Sequence, residues 1–156
     1  MEDKKQIKVM AIYTLPKMWR AIVNTHKAVQ GSNPNSSADY IAFIRLGLED
    51  DFGDPFPGGA ITHIAKVEKI NFNKPVEKLL KESPEFVEIH EDKEWSGYCN
   101  EYILGKIEQL PTPIYHKRGD AARSQVKFFT TMEEIEKANF LSDIKTLSKL
   151  RSENGK

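Results

Sequence analysis

Few side chains in this sequence have chemistry to offer, and His63 is the first to stand out. In Gly59-Ala-Ile-Thr-His-Ile-Ala-Lys-Val-Glu68, strict alternation puts Ile61, His63, Ala65 and Val67 on one face of a strand, with Thr62, Ile64, Lys66 and Glu68 on the other. An imidazole among apolar residues is either a hydrogen-bonded structural group or, near Arg45, a general base whose proton affinity burial could tune. The other histidines have different settings: His26 on a helix, His90 in an acidic stretch, and His116 beside Lys117-Arg118, where it could meet a phosphate. Trp19, Trp95 and Tyr98 fall outside the regular apolar stripes and are candidates to stack on an extruded or single-stranded base. Asn33, Asn35, Ser36 and Ser37 share a polar loop and could read the edge of such a base, while Arg45, Lys117, Arg118 and Arg123 could meet phosphates.

Other chemistry is poorly served. There is no phosphate-binding glycine loop, no G-x-G-x-x-G, no nucleophile elbow and no H-E-x-x-H pair. The acidic run Glu49, Asp50, Asp51 and Asp54 lacks the alternation of a calcium loop and reads as a solvated turn. Cys99 has no basic neighbour in sequence to activate it. One cysteine and four scattered histidines do not make a zinc site, so neither metal nor cofactor is expected.

The bulk properties bound the function further. A chain of 156 residues fits one domain, with a frayed tail at 151–156. Lys+Arg and Asp+Glu are equal at 23 each, so no global field draws a polyanion. The distribution is uneven, however: Lys117, Arg118, Arg123 and Lys127 face only Asp120 within 115–127, and 82–94 is acidic. No apolar run approaches the ~18 residues of a membrane span. The charged start and the lone Cys99 fit a reducing cytoplasm. Three functions are compatible with these features, in order of support: a non-catalytic nucleic-acid-binding module, a hydrolase of a nucleotide or nucleic acid using His63, and a protein-interaction module docking through 82–94.

A small set of elements must carry these residues. Ile7–Thr14 reads as a strand apolar on both faces, hence central. Pro16 opens a helix with Met18, Ile22, Thr25 and Val29 on one side and Gly31 as its stop. Asp39–Gly47 and the glycine-led stretch to Ile70 are the next strands, the glycine permitting close approach of a neighbour. A short helix is predicted over Asn73–Glu82 and broken at Ser83-Pro84, with Glu85–Trp95 open between helix and loop. Glu101–Leu110 is a strand that Pro111 and Pro113 should end, with Ile114–His116 a short edge piece. Gln125–Thr131 is the last strand, running into a helix through the capping box Thr131-Met-Glu-Glu134. Ile144, Leu147 and Leu150 mark a terminal helix. Together these give an α+β chain with a twisted sheet curled toward a barrel.

Ile7–Tyr13 followed at once by Pro16-Lys-Met-Trp19 resembles the opening of an EVE domain, of the PUA-like superfamily that includes the ASCH domains. Asp39-Tyr-Ile-Ala-Phe-Ile44 is similar to that superfamily's second strand, and Gly59–Glu68 to its glycine-led strand. Leu110-Pro-Thr-Pro-Ile114, and Arg118-Gly119 leading through Phe128-Phe-Thr-Thr131 to a capped helix, match in character. The resemblance spans Ile7–Ala138. It implies a PUA-like β-pseudobarrel of mixed and antiparallel strands with peripheral helices. It also implies binding of RNA or modified DNA, with a base in a cleft beside the barrel. Some ASCH-type relatives are hydrolases, and no catalytic residue is carried over.

Overall fold

The computed structural model describes residues 3–46, 59–93, 95, 97–117 and 127–154. In chain order these form strand β1 (Lys8–Thr14), helix α1 (Pro16–Thr25), and strands β2 (Lys27–Gly31), β3 (Tyr40–Arg45) and β4 (Ala60–Pro75). Helices α2 (Val76–Glu82) and α3 (Val87–Lys93) come next, then strands β5 (Tyr98–Tyr115) and β6 (Phe128–Thr131), and helices α4 (Met132–Lys137) and α5 (Leu147–Asn154). One mixed sheet takes the order β2-β5-β4-β3-β1-β6. Only β1 and β3 are parallel; the other neighbours are antiparallel. The sheet is open, with β2 and β6 at its edges, and helices lie at its periphery, the α+β class that the sequence predicts.

Both faces of the sheet are covered, so β1 reads as a continuous apolar run; Val9–Ile12 are at most 1% exposed. On one face Met10, Ile12, Ile41 and Phe43 pack with Met18 and Ile22 of α1 and with Phe86 and Leu79. On the other, Val9, Ala11, Ala42, Ile44, Ile61 and Ile114 pack with Ile135 and Leu141. Each fully buried Ile or Phe contributes roughly 1.5–3 kcal/mol.

The helix expected to run to Gly31 stops at Thr25. The Thr25 hydroxyl turns back to the Ala21 carbonyl (2.7 Å), and His26 takes the left-handed conformation (φ 54°) that closes a helix. Lys27–Gly31 then pairs with β5, so Val29 is buried from a strand rather than from a helix. Residues 73–75, expected in the next helix, continue β4, and Glu85–Trp95 becomes a 3-10 turn followed by α3. Pro111 and Pro113 do not end β5. Its pairing with β4 passes from Gln109–His63 to Ile114–Ile61, while β2 reaches only Cys99–Ile103, so neither ring interrupts a ladder bond. At α4 half of the capping box forms: the Thr131 hydroxyl accepts the Glu134 N–H (3.3 Å).

Two features at the start of β4 shape the end of the sheet where it meets β3. A Cβ on Gly59, whose φ is +78°, would lie 2.9 Å from the Arg45 carbonyl oxygen and 2.9 Å from the Leu46 side chain, so β3 and β4 close together only on a glycine. Beyond it, Phe43 pairs with His63 but Ile44 pairs with Ile61, which leaves Thr62 as an extra residue. The bulge breaks the alternation expected from the sequence. Ile61 joins the core beneath β1's Val9 and Ala11, and His63 instead shares the opposite side with Ala65. Among the described residues no helix is long and apolar enough to cross a membrane.

Candidate functional site

The Thr62 bulge and the first turn of α1 bring three of the expected residues together. Pro16 starts α1 immediately after β1, which sets Trp19 over the sheet. Its ring lies edge-on to Phe43 (5.3 Å between centroids) and 4.8 Å from His63. Arg45, two residues beyond Phe43 and so on the same side of β3, lays its guanidinium 4.7 Å from the centre of the Trp19 ring. Half-burial pulls the Arg45 pKa down. For His63, burial and then the neighbouring Arg45 charge pull the pKa below its ordinary value, which keeps the ring neutral at neutral pH. The Thr62 hydroxyl is 2.8 Å from His63 Nδ1 and fixes the ring, so Nε2 is the nitrogen available to a ligand.

Lys127 completes this end of the sheet. β6 pairs Phe129 with Met10 and Phe128 with Ala11, and the same register carried one residue further sets Lys127 beside Ile12. It therefore shares the Phe129 side, that of Trp19 and Arg45. Burial lowers its pKa. Among the described residues neither Arg45 nor Lys127 has a carboxylate partner. Lys127 belongs to the basic segment read from the sequence, but only its strand register shows that it shares Arg45's face of the sheet.

The remaining expected residues divide. Lys117 is exposed near the same end, its ammonium 5.4 Å from the Phe140 ring centre. His116 is 7% exposed, and among the described residues neither ring nitrogen has a hydrogen-bond partner. Arg118 and Arg123 lie outside the described residues, as does the acidic run 49–54. Asn35, Ser36, Trp95 and Tyr98 lie toward the opposite end of β4 and β5: Tyr98 pairs with Pro75, twelve residues along β4 from His63, and Ser36 meets Tyr102, the partner of Ile70. Asn35 and Tyr98 are exposed there. Ser36 is not a surface reader: it is 1% exposed, and its carbonyl accepts the Tyr102 hydroxyl (2.7 Å), which draws the loop onto the core. Trp95 is likewise a core residue, 9% exposed, stacked on His90 at 5.6 Å and close to Phe86. In the acidic segment, Glu88 forms an ion pair with Lys17 (3.0 Å) that ties α3 to α1.

That opposite end holds a charge cluster that sequence reasoning missed. Glu101 of β5, 1% exposed, receives the Lys74 ammonium (2.9 Å) and the Asn71 amide (2.7 Å) on one oxygen, and Lys27 approaches the other at 3.0 Å. Lys74 also bonds Glu82, and Lys27 donates to Ser83 (3.0 Å). Burial would raise the Glu101 pKa, but the bonds from Lys74, Asn71 and Lys27 outweigh it and hold the carboxyl below its ordinary value. Charge is balanced here, two lysines to two glutamates. Among the described residues no group of His, Cys, Asp and Glu could hold a metal. A groove of about 500 Å³ lies on the other face of the sheet, where β5 leaves the ladder, lined in part by Ile64, Leu110, Ile114, Met132 and Ile135, away from the Trp19 cluster.

An open mixed sheet with a parallel β1/β3 pair, α1 crossing one face and a long antiparallel β4–β5 pair makes an α+β fold similar to that of ASCH proteins of known structure. The crystal structure of an ASCH protein from Zymomonas mobilis matches with a TM-score of 0.58 at 15% identity, covering 92% of this chain and 99% of that one. Its Ser-to-Ala variant gives 0.58 at 16% identity over 88% and 96% of the two chains. Its Tyr-to-Phe variant gives 0.58 at 15% over 83% and 94%. No family model matches the sequence, and no curated protein matches it.

Proposed function

We propose that this chain is a small nucleic-acid-binding module that takes a base of RNA or modified DNA at the Trp19–Arg45–His63 cluster, with Lys127 meeting the backbone. The ASCH-type fold fits a small RNA-binding domain. The observation that carries the reading is local: a half-buried arginine is laid on an indole, and a half-buried lysine faces the same side, with no carboxylate for either among the described residues. A guanidinium plane is a stacking surface for a base, and unmatched cations favour a polyanion. Lys117 adds an exposed cation near the same end of the sheet, Arg118 and Arg123 follow it in the sequence, and Asn35 and Tyr98 are too distant to share one base with Trp19. Burial pushes the Cys99 thiol pKa up to about 11, so it supplies no nucleophile to this reading.

A salt series with a single-stranded RNA oligomer and with base-modified DNA tests the reading. Binding should weaken as salt rises, and the Arg45→Ala/Lys127→Ala double variant should shallow the log–log slope by about 1–2. No binding of either ligand at low salt would count decisively against it. A second reading, hydrolysis with His63 as general base, is favoured by the Thr62–His63 bond and the neutral ring. Loss of turnover in His63→Ala with binding retained would select it.

A further inference from the structure

We infer that the group anchored between Arg45 and Lys127 is a terminal phosphomonoester of a nucleotide, either the phosphorylated end of a strand or a free nucleoside monophosphate. The inference rests on the proposed nucleic-acid-binding function and specifies its ligand. Charge is the first consideration. At the far end of the sheet the two shielded lysines, Lys27 and Lys74, are matched by Glu101 and Glu82. Where two cations are equally short of water at Arg45 and Lys127, no anion answers them among the described residues. An internal phosphodiester brings one negative charge and leaves one of the pair uncompensated. A phosphomonoester carries about 1.5–2 negative charges at neutral pH and answers both.

Geometry agrees with the count. β3 and β6 flank β1, so Arg45, level with Thr14, and Lys127, level with Ile12, rise on the same face from strands about 10 Å apart and are offset by about 7 Å along them, a gap that two long side chains and a bound anion can span. Arg45 lays its flat face on Trp19, and among the described residues its in-plane N–H groups have no hydrogen-bond partner, so they can fork onto phosphate oxygens while the outer face takes the attached base. The pair sits at the carboxyl ends of the parallel strands β1 and β3, where α1 begins, the crevice in which open sheets place ligands. His63, ring-to-ring with Trp19, offers Nε2 to the same space. Arg45 is the charged residue that acts on it; Phe43 and Gln109 are its strand-pair neighbours.

The test compares one short single-stranded RNA in three forms, with a 5′-phosphate, with a 3′-phosphate and with hydroxyls at both ends, alongside a nucleoside monophosphate and inorganic phosphate. One phosphorylated form should bind about tenfold or more tighter than the hydroxyl-ended strand. The preference should vanish in Lys127→Gln and Arg45→Gln, and Arg45→Lys, which keeps the charge without the fork, should recover it only in part. Circular dichroism of each variant guards against misfolding, and the wild-type comparison does not depend on them. A monophosphate that binds as tightly as the strand identifies the free nucleotide as source; weaker binding identifies the strand end. Equal affinity for all three strands overturns this inference and leaves nucleic-acid binding standing. Inorganic phosphate binding as tightly as the monophosphate overturns the base contact; no binding of any strand overturns nucleic-acid binding, and no binding of the monophosphate either overturns both readings.

Discussion

The two ends of the sheet treat charge in opposite ways. Around Glu101, lysines from β2 and β4 close on a carboxylate that is 1% exposed, and polar partners from Asn71 to Ser83 fill the remaining valences. Around Trp19, an arginine and a lysine are drawn out of water with no such partner among the described residues. The first arrangement joins β2, β4, β5 and α2 without leaving a function for an outside molecule. The second carries an electrostatic penalty in the free protein that an anionic ligand would relieve. Buried charge therefore points to the proposed binding end only when its balance is considered; burial alone would have pointed to Glu101.

Substitutions at the two ends should accordingly differ in sign. Glu101→Gln leaves Lys27 and Lys74 facing each other across a neutral amide and should lower unfolding free energy by about 3–5 kcal/mol in urea titrations. A loss below about 1 kcal/mol would mean the cluster is not a fastening point. Trp19→Ala should come next, at about 3 kcal/mol from lost packing on Phe43, with nucleic-acid affinity lost as well. Lys127→Met should do the reverse, leaving stability unchanged or raised by up to about 1 kcal/mol while weakening binding. If that variant is destabilised, the lysine has a structural partner and the contrast collapses. The smallest effect concerns pH. The folded His63 pKa lies below the unfolded value, so the unfolded chain takes up the proton first as pH falls. The stability His63 contributes while neutral is complete above about pH 6.5 and is lost as pH falls through the folded pKa. His63→Gln should therefore flatten the acid side of the stability profile; a profile as steep as that of the parent would show that the ring titrates normally.

Much of the architecture could be read from residue pattern. The doubly apolar Lys8–Thr14 predicted a strand buried on both faces, and Pro16 predicted where α1 begins. The Thr62 bulge could not be read, because one extra residue leaves the apolar count unchanged while reversing which face Ile61 presents. β2 was hidden by Val29, which happens to continue the helical stripe of Met18 and Ile22. Trp95 and Ser36 looked available because their surroundings are polar or glycine-containing, yet α3 and the Tyr102 hydroxyl draw them inward. The Glu101 cluster depends on partners from three separate strands and a helix, which no local window contains. Trp19, Arg45 and His63 were legible as residue types with chemistry; their convergence is a property of register.

Gly59 has a consequence for how this protein could change over time. Its carbonyl accepts the His116 N–H (3.0 Å), and Leu46 is held by the Thr14 carbonyl (3.0 Å), so both ends of residues 47–58 are fastened to the sheet itself. Gly59, the point where β3 and β4 touch, is then the residue that any change in that segment must keep.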